Sequence, residues 1–226
     1  MSYRRHKMMA SKEKYEYITD GLVLHLDGKW NGGVGKHLAS TDTWVDLSPM
    51  GNDATSYKGG QIAFGKDYCH TAGTDAFISL VGQPACHDIT IETWFKNNLT
   101  NSYAGVSCWG YNDGKERTTF AITPFQVQYY GGGSLNNGQH YYYRGTLTYN
   151  KANQVFKLYE NGIEKVSYAA NLTNGNRTIP AICIGLKYDT KTFANAELYS
   201  VRVYDRTLSP EEIAYNAALD VKRLAK

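Results

Sequence analysis

The segment QVFKLYENGIEKVSY, Gln154 to Tyr168, decides the fold class. Gln154–Tyr159 and Glu164–Tyr168 carry the aromatic and β-branched residues that pleated strands favour, and Glu160-Asn161-Gly162-Ile163 lies between them. Asn-Gly is the preferred centre of a type I′ turn, since both central residues must take φ > 0 and the twist of that turn suits two antiparallel strands. The segment is therefore a β-hairpin.

The same grammar repeats on both sides of it. Short runs at Leu22–Leu26, Ile62–Phe64, Phe77–Leu80, Ile89–Phe95, Ala104–Trp109, Thr118–Ile122, Phe125–Tyr130, Ile182–Gly185 and Glu197–Tyr204 are bounded by Gly, Asn, Asp or Pro, so each reads as a strand. In the last of them Tyr199, Val201 and Val203 share one expected face, and Ser200, Arg202 and Tyr204 the other. The 19 Tyr and 22 Gly suit strands joined by tight turns. One helix is expected over 209–224. Ser209 caps it, Pro210 takes the first position and Glu212 completes a capping box, with Ile213, Ala217 and Val221 forming the stripe that meets the rest of the protein.

Length and composition give one domain, residues 18–226, preceded by a basic arm, residues 1–17, that holds Arg4, Arg5, Lys7, Lys12 and Lys14. Such an arm is either a frayed terminus or a docking segment. Without it most of the net charge of +3 disappears, so no nucleic-acid face is expected on the body. No apolar run is long enough to span a membrane. The start of the chain has no secretory pattern, so synthesis in the cytoplasm and free thiols are expected for Cys69, Cys86, Cys108 and Cys183, which show no metal-binding spacing. The sequons at Asn98, Asn171 and Asn176 then read as polar loop residues.

The order of motifs resembles a known family. GLVLHLDG (Gly21–Gly28) followed by WVDLSPMGNDA (Trp44–Ala54) is similar to the opening of concanavalin A-like, laminin-G-like jelly rolls of bacterial and phage surface proteins. ITIETWF (Ile89–Phe95), KLYENG (Lys157–Gly162) and ELYSVRVYDRTLSPEEI (Glu197–Ile213) resemble later blocks of that family. The resemblance implies an all-β fold: a two-sheet antiparallel jelly-roll sandwich with one short C-terminal helix. It does not imply one function, because this superfold carries lectins, glycanases, adhesion modules and virion proteins.

Glycanases of this fold present carboxylates at alternate positions of one strand, as Glu-x-Asp-x-x-Glu, and no such triplet occurs here; Glu92 is the one acid of its strand. The expectation is a non-enzyme. Family members often hold a cation near the turn after the second strand, where Asp46, Asn52 and Asp53 offer oxygens for Ca2+; the same residues also suit an Asx-stabilised turn. Sugars need exposed rings beside hydrogen-bonding groups. Trp109, Tyr111, Asn112, Asp113 and Trp30 meet that description on expected loops, as does the run Tyr141–Tyr143, whereas Trp44 and Trp94 read as core. The histidines show no relay or ligand spacing.

The expected function is a non-catalytic carbohydrate-binding or adhesive module on the surface of a phage virion, as a tail or capsid-decoration protein, or alternatively on a bacterial cell surface. Its partners would be a cell-surface or mucosal glycan and, through the arm, other assembly proteins. A homo-oligomer is compatible with a Tyr-rich surface. A purely structural decoration protein and a glycan-degrading enzyme are the competing readings. The enzyme requires two acids from different elements to converge in an open groove.

Overall fold

The computed structural model describes residues 16–73, 75–79, 88–97, 107–109, 120–122, 126–129, 133–136, 142–150, 152–169, 182–185 and 193–224. In chain order the strands are β1 (Leu22–Asp27), β2 (Ser40–Thr41), β3 (Thr43–Trp44), β4 (Ala54–Ser56), β5 (Ile62–Ala63), β6 (Cys69–His70), β7 (Phe77–Ser79), β8 (Ile89–Asn97) and β9 (Ser107–Trp109). They continue as β10 (Phe120–Ile122), β11 (Gln126–Tyr129), β12 (Gly133–Asn136), β13 (Tyr142–Asn150), β14 (Val155–Glu160), β15 (Ile163–Ala169), β16 (Ile182–Ile184) and β17 (Ala196–Tyr204), followed by α1 (Pro210–Leu224).

Two antiparallel sheets form the jelly-roll sandwich that the sequence implies. The first runs β1-β17-β8-β13-β14-β15, with β6 also paired to β17; the second runs β12-β11-β10-β9-β16-β7-β4-β3. Alternation fills the space between them. Leu24 and Leu26 on β1, Val201 and Val203 on β17, and Ile91 and Phe95 on β8 face Trp44, Phe77, Ile182 and Ile184 of the second sheet, all in one buried apolar cluster. Trp44 meets the rings of Phe64 and Phe77 edge-on, at 5.1 and 5.5 Å between centroids.

β13 was not foreseen from the sequence. Thr146, Leu147, Thr148 and Tyr149 alternate, but both threonines are buried, so the polar side of the alternation does not mark a solvent face. This strand lies between β8 and β14 and places Tyr142 and Tyr143 inside a sheet; the expectation of a loop there is corrected. Tyr199 also departs from its expected face. The register of β17 slips between Leu198 and Ser200, and the extra residue brings Tyr199 onto Trp94 in a stack 4.6 Å apart.

The helix starts as read. Ser209 Oγ accepts from the Glu212 amide (3.3 Å), and Glu212 Oε2 accepts from the Ser209 amide (2.8 Å). Its buried side is different, however. Ile213 is buried, but Val221 is exposed, and Asn216, Asp220 and Arg223 fill the remainder of the inward stripe. The helix lies on the outer, polar face of the first sheet, so its contacts there are polar too. Tyr17, assigned to the arm by sequence, is buried beneath this helix, and the amide of Ile18 donates to Asn216 Oδ1 at 3.1 Å.

The hairpin turn also meets the helix. Asn161 and Gly162 have φ of 52° and 82°, and a Cβ on Gly162 would stand 3.1 Å from Ala214 Cα. Gly162→Ala should therefore lower stability by more than about 1 kcal/mol in chemical denaturation, through backbone strain and displacement of α1. A substitution within experimental error of wild type would contradict this contact.

Candidate functional site

Alternation on β8, β17 and β1 puts Glu92, Arg202 and Asp27 on the outer face of the first sheet, under α1. Arg202 Nε donates to Glu92 Oε2 (2.7 Å), while its Nη1 and Nη2 donate to Asp220 Oδ1 (3.0 Å) and Oδ2 (2.7 Å). Tyr17 Oη donates to Asp220 Oδ1 (2.8 Å), and the Arg202 guanidinium lies 4.1 Å from the Tyr17 ring centroid. Asn216 Nδ2 donates to Glu92 Oε2 (2.9 Å) and to Tyr204 Oη (3.0 Å). Arg223 Nη2 closes the row by donating to Asp27 Oδ1 (2.7 Å).

Arg202 is 2% exposed and Glu92 4%. Burial opposes the charge on Arg202, but Asp220 and Glu92 hold its guanidinium well above the ordinary value. Burial raises the Glu92 carboxyl despite Arg202 beside it, and raises Asp27 despite Arg223. Glu92 and Asp220 thus converge, as a glycanase would need, but both point into one arginine, Arg202. The cavity beside them, lined by Glu92, Arg144, Thr146, Arg202 and Asp220, measures about 10 Å³. That is room for about one water molecule, not a sugar ring.

Asp46, Asn52 and Asp53 come together, as their spacing suggested. Asp46 Oδ1 accepts from the amides of His25 and Ser48, each at 2.8 Å, and Oδ2 accepts from Ser48 Oγ (2.6 Å) and the Asn52 amide (2.8 Å). Asp53 Oδ1 accepts from the Asp46 amide (2.8 Å), and Asn52 Nδ2 donates to the Val23 carbonyl (2.8 Å). The cluster binds the turn to β1 through backbone groups. Among the described residues, no group of three or more His, Cys, Asp or Glu could hold a metal ion.

The aromatic candidates are spread out. Trp30 is half-buried in the turn after β1, where its amide donates to the Asp27 carbonyl at 3.2 Å. The backbone of Trp109 ends β9, in register with Ile182 and, through β16, with Ser79, both wholly buried. Tyr111, Asn112 and Asp113 lie outside the described residues. A different aromatic edge is on the surface. Tyr57, 36% exposed, has its ring 6.3 Å from that of Phe193, and Lys58 Nζ sits 4.3 Å from the Phe193 centroid. Asp75 fixes the edge from below: its Oδ2 accepts from Ser56 Oγ (2.7 Å) and its Oδ1 from the amides of Lys58 (3.1 Å) and Ala76 (2.8 Å). Two rings, an ammonium group and a carboxylate at one edge are the elements from which a sugar site is built. Sequence reasoning missed it because Tyr57 and Phe193 are distant in the chain; the exposed Tyr-Lys-Gly-Gly turn at 57–60 was the available signal.

A family profile described as the concanavalin A-like lectin/glucanases superfamily matches residues 65–214. The chain belongs to this superfamily. No curated protein matches it by sequence. Among solved structures, this superfamily member is similar to domain 4 of AbnA, an extracellular arabinanase from Geobacillus stearothermophilus in complex with arabinotriose, with a TM-score of 0.63 and 14% identity over 88% of this chain and 100% of that one. It is also similar to Trypanosoma rangeli sialidase in complex with sialic acid, with a TM-score of 0.64 and 16% identity over 87% of this chain. There it spans 32% of the sialidase chain, about a third of its length. Among the described residues no helix is long and apolar enough to cross a membrane.

His25 lies over the same buried network in this superfamily member, with the Tyr17 ring edge-on at 5.2 Å. Burial, reinforced by Arg202 and Arg223, lowers its imidazole from 6.5 to about 3. Between those values the unfolded chain binds a proton that the folded protein refuses, so stability falls as pH falls, by about 1.4 kcal/mol per unit. The raised Glu92 and Asp27 carboxyls act in the opposite sense, and a comparison with His25→Gln removes their contribution. The stability advantage of wild type over His25→Gln should shrink by about 2 kcal/mol between pH 6.5 and pH 5 in urea titrations. A constant difference would show that the imidazole is not held neutral.

Proposed function

We propose that this chain is a non-catalytic carbohydrate-binding module displayed on a phage virion or a bacterial cell surface. The observation that carries the reading is the exposed Tyr57–Phe193 edge with Lys58 and Asp75 around it, because a pyranose offers apolar C–H faces to rings and hydroxyls to charged groups. The superfamily is one of lectins and glucanases, and a domain matched over its whole length is the arabinotriose-bound one. Hydrolysis is disfavoured by the sealing of Glu92 and Asp220 around Arg202.

The test is a glycan-array screen of wild type beside Tyr57→Ala, run with calcium and with a chelator. Tyr57 is at the surface, so its loss should leave the protein folded, with the melting temperature lowered only slightly, while weakening the best glycan by about tenfold, the effect of roughly 1.4 kcal/mol of ring contact. Full binding in Tyr57→Ala but not in Trp109→Ala or Asp113→Ala would move the site to the residues around 109–113. Calcium at Asp46, Asn52 and Asp53 is part of the same proposal. An ion there has to take over oxygens of Asp46 that now accept four N–H or O–H donors, so loss of binding in chelator supports it and indifference leaves the turn to brace β1.

The basic residues before the domain favour a second reading, in which the module is a structural decoration docked through them. Deleting residues 2–15 keeps Tyr17 and its contact with Asp220. The truncated protein should therefore melt as wild type does but fail to join its assembly; normal incorporation would refute the docking role.

A further inference from the structure

We propose that Cys108 and Cys183 form a cross-strand disulfide, a redox-controlled clasp in the middle of the second sheet. Their backbones stand directly opposite each other in the antiparallel pairing of β9 with β16. Residues opposed in this way have Cα atoms about 4.5 or 5.5 Å apart, according to whether the pair exchanges backbone hydrogen bonds. Both separations lie within the roughly 4.4 to 6.8 Å that a disulfide spans without backbone movement.

The register also fixes which side of the sheet these positions occupy. Ile182 and Ile184, the neighbours of Cys183 on β16, are wholly buried in the core, as are Ser79 and Phe77 opposite them on β7. Position 183 therefore belongs to the other row, the one that carries half-buried Ile78 on β7 and exposed Thr55 on β4. That row is the face of the sheet opposite the one packed in the core. Cys69 is different: it is fully buried in the core, and burial pushes its thiol well above the ordinary value, which keeps it out of exchange.

The chemistry is thiol–disulfide exchange with a low-molecular-weight disulfide. The Cys108 or Cys183 thiolate attacks a sulfur of that reagent and releases one thiol. The second cysteine thiolate then attacks the mixed disulfide and releases the other. Two protein thiols are oxidised to one S–S bond, and one reagent disulfide is reduced to two thiols. Because the closed loop is long, the bond stabilises chiefly by restricting the unfolded chain, and it ties the strand leading into residues 110–119 to the centre of the sheet.

The experiment uses the full chain, incubated with oxidised glutathione or with a reducing agent, then alkylated, digested and mapped by mass spectrometry. Oxidation should give a peptide pair linked through Cys108 and Cys183, about 2 Da lighter than the sum of its thiols, and raise the melting temperature by roughly 5 °C or more. Cys108→Ser with Cys183→Ser should fold, and its melting temperature should not respond to oxidant. Alkylation of both cysteines in the oxidised, folded wild type, or a link of either to Cys86 instead, would overturn the proposal.

Discussion

The guanidinium of Arg202 is the group on which the outer half of this molecule depends. It sits at 2% exposure with Glu92 of the neighbouring strand on one side and Asp220 of the terminal helix on the other. Removing one partner of such a buried set leaves an unpaired charge and costs about 3–5 kcal/mol, far more than a surface ion pair is worth. The consequence is topological. A helix that follows the last strand could rest on many surfaces, and this polar set admits one placement, with Asn216 on Glu92, Asp220 on Arg202 and Arg223 on Asp27. The capping box and the bidentate Arg206–Glu212 pair start the helix in the right direction, and the buried charges fix where it lies. Tyr17 adds the start of the domain to the same point, so both ends of the described chain are joined through Asp220.

This arrangement commits the polar groups of the outer face to holding the fold together. Among the described residues, the buried carboxylates Glu92, Asp220 and Asp27 are used to hold α1, beside a cavity with space for about one water. The other polar knot, around Asp46, holds the turn before β4 against β1. At the edge where Tyr57 and Phe193 meet, Asp75 holds the neighbouring backbone through the amides of Lys58 and Ala76. A ring on a fixed backbone loses little entropy when a ligand stacks on it, which is why the proposed sugar site is placed there.

The sequence carried the fold because its strongest signals were local: an Asn-Gly turn, a Ser-Pro-Glu-Glu helix start, and blocks in a familiar order. It carried the Asp46 cluster for the same reason, since those three residues lie within one turn. Legibility failed where burial and polarity coincide. An apolar stripe through Ile213, Ala217 and Val221 is what periodicity looks for, but Asn216, Asp220 and Arg223 are buried because the sheet beneath them is charged, and the partners of Asn216 and Arg223, Glu92 and Asp27, lie more than a hundred positions away. β13 was passed over because Thr146 and Thr148 are polar yet buried, and Tyr199 changed face through a slip in register that no alternation reveals. The Tyr57–Phe193 edge and the Cys108–Cys183 register likewise exist only once distant strands are paired.

The account stands or falls on the claim that buried charge, more than apolar contact, holds α1 in place. Amide hydrogen exchange of wild type against Arg202→Leu tests it directly, since leucine keeps the packing volume near that of the arginine stem while leaving Glu92 and Asp220 without their cation. The account predicts that protection is lost over α1 and residues 16–20 while the central strands β17, β8 and β13 remain protected. Unchanged protection of α1 in the variant would contradict it, because the helix would then be held by Ile213 and Leu208 against Tyr204 and not by the ions beneath it.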